Sequence, residues 1–504
     1  MVGYKMISKA GFSDDLRAGF VLFLIALPLC VGISLASGAP ASAGIIAGVV
    51  GGIVGSLLGG CRLAINGPAA GMIVVVVNGI ATLSDGDPRI GFQRFLACVM
   101  VVGVLQILAG MARLGRFALL APSAVVHGMM VAIGTIILIK QFPVLLGVKP
   151  HARDLIGMVV ETPTTVAHLV WPVAAIGAIC LGVMLAWQAF PARLIRLMPG
   201  PLLAVAVGLA FSMRFDVLRP EDLVPLPTEF AQFLIFPLFD QVLSARSLEV
   251  ILTVFLVGSL ESQLSTLAVD QLDPLKRASD FDQEFIGKGA VNFICGMVGG
   301  LPVITEIVRS SANIANGAKS PLSNLIHGSL LGLAVILVPG LMRQIPLTSL
   351  AAVLLLIGWR LARLSHFVAA WRAGKDVFVA FAVTWGVTIV DDLLVGLALG
   401  FVVYVAMQLW RGVKPHSFWR PDILVHREGA VGYVEVRGSL VFSGYLSVLS
   451  ACNSMPDLKE IRLDLGQVTH LDHGVRHNLE GLVGQMGAAG QEVEVIWPSG
   501  KKAA

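Results

Sequence analysis

An all-α protein threaded many times through a membrane, with a small α/β module behind it, is the fold class this sequence predicts, and three observations predict it. Across 504 residues the chain is 56% hydrophobic and only 13% charged, with a mean hydropathy of +0.83, far from the balance of a soluble globular domain. Apolar runs of about 16 to 22 residues recur from Asp15 to Arg411, each long enough to cross about 30 Å of hydrocarbon as a helix. After Trp410-Arg411 the runs stop, and Lys414-Pro415 and Arg420-Pro421 mark a linker into a tail of different composition.

About fourteen spans fit, over 16–36, 43–59, 67–82, 91–111, 119–139, 168–188, 200–213, 248–268, 285–299, 304–316, 321–339, 347–361, 376–390 and 392–410. The chain thus divides into a cytoplasmic N-terminus (1–15), a transmembrane region (16–412), a linker (413–421) and a soluble tail (422–500). Arg62, Arg113, Arg116, Arg193, Arg196, Lys276, Arg277, Lys319, Arg360, Arg363, Arg372, Lys375, Arg411 and Lys414 fall on one side with Lys5, Lys9 and Arg17. The opposite loops, with Arg89, Arg94, Lys140, Lys149, Arg153, Arg214, Arg219, Arg246 and Arg343, carry fewer. The positive-inside tendency then puts both termini in the cytoplasm, as an even span count requires, and the expected location is a bacterial inner membrane. The first span follows Lys5 and Lys9 as a signal sequence would, but it is longer than a usual h-region and another span follows, so it reads as retained.

The net charge of +4 is therefore a topology signal, without the basic run and interleaved aromatics of a nucleic-acid surface. The six cysteines are scattered and show no CxxC or His partner at metal spacing, so they read as small packing residues. In the tail, Val425 to Val441 alternates as two strands about Glu428-Gly429, Phe442 to Cys452 is helical, Glu460 to Leu465 a strand, His473 to Ala489 a helix and Glu492 to Trp497 a strand.

Function is expected at two interruptions in the hydrocarbon. Asn66-Gly67-Pro68-Ala69-Ala70-Gly71 opens the third span, and Gly299-Gly300-Leu301-Pro302, running on to Glu306 and Arg309, opens the tenth. Both spans are short and they lie seven apart. An odd number of spans per repeat inverts the second copy, so paired breaks point to an inverted-repeat transporter, here with repeats over 16–214 and 248–412. A half-helix starting inside the membrane leaves its first N–H groups unpaired and carries roughly half a positive charge at that end. Two such ends facing each other make an anion site. Small residues beyond the breaks let a ligand approach the backbone, and the expected substrate-binding set is Pro68, Ala69, Ala70, Gly71, Thr305, Glu306, Arg309 and Ser310.

Arg309, one turn into the tenth span, is a permanent charge at a depth where it must face water, a carboxylate or an anion. It supplies the substrate field, or it forms an internal i,i+3 pair with Glu306. Glu261 lies mid-span with Ser265 on the same helix face, and an intramembrane carboxylate is a coupling site by default. It takes a proton, or it binds Na+ together with Ser265; the alternative is a carboxylate that only bonds neighbouring helices. Glu306 beside an anion repels it unless protonated or paired to Arg309, and joins Glu261 as an ion-coupling candidate. Asp391-Asp392 reads as a helix start and solvated turn, His127 and His327 as packed and satisfied, and Asp270, Asp273, Asp280, Asp282 and Glu284 as a solvated loop mixed with Lys276 and Arg277. No cofactor is expected, and no cluster at a membrane face suits an enzyme.

On these residues the chain resembles the SulP family of inorganic-anion transporters over nearly its full length. The matching motifs are Asp15-Leu16-Arg17-Ala18-Gly19 leading to Ala26-Leu27-Pro28 and Ala36-Ser37-Gly38; the Gly59-Gly60 to Gly67-Pro68 turn; Glu284 and Gly287 to Asn292; and Gly299-Gly300-Leu301-Pro302 through Arg309 and Asn313 to Gly317-Ala318-Lys319-Ser320-Pro321. The resemblance implies a seven-plus-seven inverted repeat with core and gate domains, an anion held between the third and tenth half-helices, elevator movement of the core, and a homodimer. It maps the family's acidic eighth-span position to Glu261, its polar partner to Ser265, and the basic tenth-span residue to Arg309. Where relatives that couple to sodium have an Asp, this chain has Glu261, which favours a proton. Ala69 stands where many relatives carry a hydroxyl, and Glu306 where they carry a small residue. The tail resembles a STAS domain, with His473 in place of the phosphorylatable Ser after Asp472, which favours a structural or dimer-supporting role. The expected function is secondary transport of sulfate or bicarbonate coupled to H+ or Na+. The alternatives are a nucleobase–proton symporter of the same architecture, for which Glu261 and Glu306 speak, and an anion-responsive membrane protein that moves no substrate.

Overall fold

A computed structural model of the chain describes residues 9–116, 122–152, 154–191, 198–215, 217–227, 230–391, 393–418, 420–429, 431–455, 458, 460–488 and 491–498. Lys5, Arg153, Arg193, Arg196 and Asp392 of the sequence reading lie outside these residues. In order come α1 (Lys9–Ala36), α2 (Ala41–Leu58), β1 (Asn66–Gly67), α3 (Ile73–Leu83), α4 (Pro88–Met111), α5 (Ser123–Leu145), α6 (Leu155–Val160), α7 (Thr162–Ala167), α8 (Trp171–Trp187), α9 (Gly200–Arg214), α10 (Ala245–Leu272), α11 (Phe281–Val298), β2 (Ile304–Thr305), α12 (Ile307–Ala315), α13 (Leu322–Leu337), α14 (Pro339–Met342), α15 (Leu347–Leu361), α16 (Leu364–Ala373), α17 (Lys375–Val390) and α18 (Leu393–Trp410). The tail adds β3 (Asp422–Glu428), β4 (Val431–Leu440), α19 (Gly444–Asn453), β5 (Glu460–Leu471), α20 (His473–Ala488) and β6 (Glu492–Ile496).

A helix overlaps every apolar run read from the sequence. Among the described residues, seven helical stretches are long and apolar enough to cross a membrane by length and composition, and shorter apolar helices cover Ala70–Leu83, Trp171–Trp187, Gly200–Arg214 and Leu322–Leu337. Helices α6, α7 and α16 were not anticipated; Asp154 caps α6 by accepting from the Gly157 N–H at 2.8 Å, the local chemistry that starts a short helix.

The helix ends near the breaks follow from capping. Asp87 accepts from Arg89 N–H at 2.8 Å with Pro88 as the first helical residue of α4. Asp280 caps α11 through the N–H groups of Asp282 and Gln283, and α11 stops at Gly299, whose φ of 94° suits a residue without a Cβ. The loop Ala64 to Ala69 and the loop Gly300 to Glu306 then run extended instead of continuing as helix.

The described chain forms two compact units. One holds the chain up to Gly115 with Ile133–Val269 and Ser279–Ala362; it contains α2, both breaks, α3, α4 and α11 to α15. The other joins Arg116–Ala132, Asp270–Ala278 and everything from Arg363 onward, so α16 to α18 fall with the tail. The tail sheet has the order β3-β4-β5-β6, with β3–β4 antiparallel and β4–β5 and β5–β6 parallel. Each parallel step is bridged by a helix, as parallel neighbours require. Its core is Val434, Val436, Leu440, Ile461, Leu463 and Leu465 with Val448, Val475 and Leu479 from the two helices, the alternate residues of half-buried strands. Within this unit Tyr404 of α18 donates its hydroxyl hydrogen to Asp472 Oδ2, and Val441 and Phe442 pack with Tyr404, Ala380 and Val125.

Candidate functional site

The two breaks pair with each other. β1 and β2 form a two-stranded antiparallel ladder in which Asn66 faces Thr305 and Gly67 faces Ile304. Extended backbone at membrane depth needs partners for its N–H and C=O groups, and the ladder supplies them for both breaks at once. Each strand turns at once into a helix: Ala70–Met72 leads into α3, and Glu306 occupies the N-cap position of α12. Two helix starts, with their unpaired N–H groups, therefore come off one ladder.

Glu261 is brought to the first of them. A Cβ on Gly71 would lie 1.9 Å from Glu261 Oε1, so the carboxylate occupies space that only glycine leaves free. Glu261 Oε2 is buried without a hydrogen-bond partner. Ser265 is half-buried on the same helix, α10. Ser262, one residue on from Glu261, accepts from the Thr305 N–H at 3.2 Å, so the eighth and tenth expected spans meet at this point.

Arg309 is fully buried. Its Nη2 donates to the carbonyl of Pro68, its Nη1 reaches Cys30 Sγ at 3.7 Å, and Glu306 Oε2 lies 3.8 Å from Nε. Nε itself is buried with no hydrogen-bond partner. Gly67 makes room for the guanidinium, since a Cβ there would be 2.7 Å from Nη1. The internal pair with Glu306 is thus present, and the same guanidinium also holds the backbone of the first break. Cys30 is more than a packing residue, because it touches this cation; all six cysteines are free and buried.

Of the other expected site residues, Pro68, Ala69, Ala70 and Gly71 line the first helix start with buried, nearly featureless backbone. Ser310 Oγ donates to the Glu306 carbonyl at 2.6 Å and accepts from the Ile65 N–H at 2.9 Å. Thr305 is fully buried; its Oγ1 donates to Glu284 Oε1 at 2.9 Å, and its N–H donates to Ser262 Oγ at 3.2 Å.

A buried polar scaffold behind the ladder escaped the sequence reading. Glu284 accepts from the N–H groups of Gly60 and Cys61 at 2.8 and 3.0 Å and pairs with Lys288 at 2.9 Å. Lys288 also donates to Asn66 Oδ1. One turn on, Asn292 accepts from Val303 N–H at 2.7 Å and donates to Gln106 at 2.8 Å, which in turn donates to Ser259 at 3.1 Å. Glu284 is therefore no solvated loop residue. It is 1% exposed, and Asp270 and Asp273 are also buried, Asp273 through its pair with Arg277 at 2.6 Å. The i,i+4 spacing of Glu284 and Lys288 was the available signal. His327 is fully buried, a packed histidine as the sequence suggests. His127 is exposed and bonds the Ser123 carbonyl.

Beyond the far end of α3, Arg94 donates to the Leu83 carbonyl at 3.0 Å and to Asp85 at 2.6 Å, and pairs with Asp240 at 2.7 Å, while Arg246 adds a 3.0 Å contact to Asp85. The hydrogen bonds from Arg94 hold the Asp85 and Asp240 carboxyls below the usual carboxylate range.

Comparison with known proteins bears on the family and the fold. Residues 12–384 match the sulfate permease family. The chain is 26% identical over 462 residues to the putative sulfate transporter YvdB of Bacillus subtilis, covering 89% of this chain and 84% of that one. It is 26% identical over 514 residues to the bicarbonate transporter BicA of Picosynechococcus, covering 97% and 89%. Among solved structures, the transmembrane domain of a cyanobacterial BicA superposes with a TM-score of 0.64 at 24% identity, covering 79% of this chain and 98% of that one. Murine Slc26a9 superposes at 0.72 and 16%, covering 98% and 86%; both are likenesses of fold. The relatives are transporters and not enzymes. The chain belongs to the sulfate permease family of anion transporters.

Proposed function

We propose that the chain is a secondary active transporter of a small inorganic oxyanion, sulfate or bicarbonate, coupled to H+ or Na+ through Glu261. The observation that carries this reading is the β1–β2 ladder, which sets two helix starts beside Glu261, Glu306 and Arg309. Backbone N–H groups supply positive ends without side-chain charge, while Glu261, unpaired at Oε2, is placed to take a proton or, with Ser265, a Na+. Pro68, Ala69, Ala70, Gly71, Thr305, Glu306, Arg309 and Ser310 form the substrate region.

The same reading has fourteen spans in two inverted repeats, 16–214 and 248–412, an antiparallel ladder being what two oppositely oriented half-helices generate. It has an elevator-like core, a homodimer, cytoplasmic termini in a bacterial inner membrane, and a STAS-like tail (422–500) of supporting role.

The test is flux of labelled sulfate, bicarbonate and uracil into proteoliposomes across pH and sodium. Anion uptake driven by a proton or sodium gradient is expected, with Glu261→Gln uptake no longer responding to that gradient. Uracil uptake without anion uptake would instead identify a nucleobase symporter, and charge movement without flux a non-transporting anion-responsive protein.

A further inference from the structure

The transporter reading leaves open what kind of anion the site prefers, and the side-chain charges around the ladder include what an anion site needs least, a second carboxylate. Lys288 and Glu284 neutralise each other at 2.9 Å and are bound to Asn66 and Thr305. The charges left at the helix starts are Arg309, Glu261 and Glu306. Adding roughly half a positive charge for each helix start, the charges at the site sum to about zero with both carboxylates ionised.

Glu306 holds the N-cap position of α12 without bonding its own helix's N–H groups. Its side chain is 14% exposed, whereas Arg309 is fully buried behind it. Two of the three guanidinium nitrogens are already committed, to Pro68 and Cys30, and the third, Nε, has Glu306 as its nearest carboxylate at 3.8 Å. Of the two charged groups in the first turn of α12, the Glu306 carboxylate is therefore the accessible one.

We infer that Glu306 sets charge and proton selectivity at the site, so that this chain takes a monovalent oxyanion bearing its own O–H, of the bicarbonate class, in preference to a divalent one such as sulfate. The inference rests on the transporter reading above. An ionised carboxylate is an acceptor only; a hydrogen carbonate can donate its O–H to Glu306 while its carboxylate oxygens take the helix N–H groups. Sulfate has acceptors alone and carries a second charge, so it meets Glu306 with lone pairs against lone pairs and twice the repulsion.

The experiment measures initial uptake of bicarbonate, nitrate and sulfate at pH 8 in proteoliposomes containing wild type, Glu306→Gln, Glu306→Ala or Glu306→Asp. Wild type should favour bicarbonate over sulfate. Removing the charge should raise the sulfate-to-bicarbonate ratio about tenfold or more, one unit charge at contact range in a partly dry site, and Glu306→Asp should keep the wild-type order. Nitrate, monovalent but without a proton, should fall between the two in wild type. A wild type that prefers sulfate, or a ratio unchanged within about twofold in both neutral variants, overturns the inference while leaving the transporter standing. Monodisperse protein that moves none of the three anions, in wild type and variants alike, removes the transporter reading itself.

Discussion

The two breaks are partners in one ladder and yet are built differently. From Asn66 to Gly71 the first contributes no charge, only backbone and small buried side chains. The second contributes Thr305, Glu306, Arg309 and Ser310. The fastening runs one way: Arg309 donates to the Pro68 carbonyl, Ser310 accepts from Ile65 N–H, and Asn313 donates to the Leu63 carbonyl at 3.1 Å. Positions 309, 310 and 313 share one face of α12, so that face is a brace for the first break. One break is bare, buried backbone, and the other is the charged strut that holds it there.

Removing the scaffold that both breaks share should have the largest effect. In Lys288→Met the Glu284 carboxylate stays buried with its cation gone, a situation that costs about 3–5 kcal/mol. Thermal unfolding in detergent should show it as a large drop in melting temperature, with Glu284→Gln/Lys288→Met recovering much of the loss. A single variant as stable as wild type would mean that the ladder is held by its backbone bonds alone.

The bare break should be intolerant of bulk, whatever its charge. Gly71→Ala puts a methyl 1.9 Å from Glu261 Oε1, and flux should fall about 100-fold, as for an angstrom-scale misplacement at a reacting centre. Gly182→Ala, with nothing within 4 Å of the added carbon, is the control. Shortening the acid in Gly71→Ala/Glu261→Asp should restore part of the flux, and failure of that rescue would place the damage in α3 rather than at the carboxylate.

Much of this was legible in the sequence because hydropathy and turn chemistry are local. Gly-Pro and Gly-Gly-Leu-Pro interrupt apolar runs, and the tail strands alternate with period two, so helices, breaks and sheet could all be placed. The ladder was not legible: Asn66 and Thr305 lie far apart in sequence, and two-residue strands leave no periodicity. Glu284 was misread for a related reason. It sits in the first turn of α11 among Asp280 and Asp282; its i,i+4 partner Lys288 was the one local signal, and its other partners, Gly60, Cys61 and Thr305, are distant in sequence. Arg309 was found by its cost in hydrocarbon, but its bond to Pro68 depends on the same pairing.

A hydrogen bond within the other compact unit tests whether effects on flux are particular to the breaks. Tyr404, 1% exposed, donates to Asp472, which also accepts from Gly474 N–H at 2.7 Å. Tyr404→Phe removes one donor from a buried carboxylate and should cost about 1–3 kcal/mol, seen as a lower melting temperature with the flux per folded molecule unchanged. A flux loss beyond the loss of folded protein would make the tail a participant in transport.

The smallest effect is expected where the first break's helix does meet charge, at its far end. Asp85 and Asp240 have carboxyls held low by hydrogen bonds from Arg94. A folded-state value below the unfolded one, about 3.9 for Asp, contributes stability that is present above the unfolded value and lost as pH falls through the folded one. The cluster should therefore contribute its full stability above about pH 4 and lose it only below that, and both aspartates are substantially exposed, so salt screens it. Melting temperature followed from pH 7 to pH 3 should be flat for the difference between wild type and Asp85→Asn until the acid end, where the two converge, and high salt should shrink the difference throughout. Any flux transition between pH 5 and pH 8 that persists in Asp85→Asn then belongs to the groups at the ladder, and a transition abolished by that substitution would move the titrating site to the opposite end of α3.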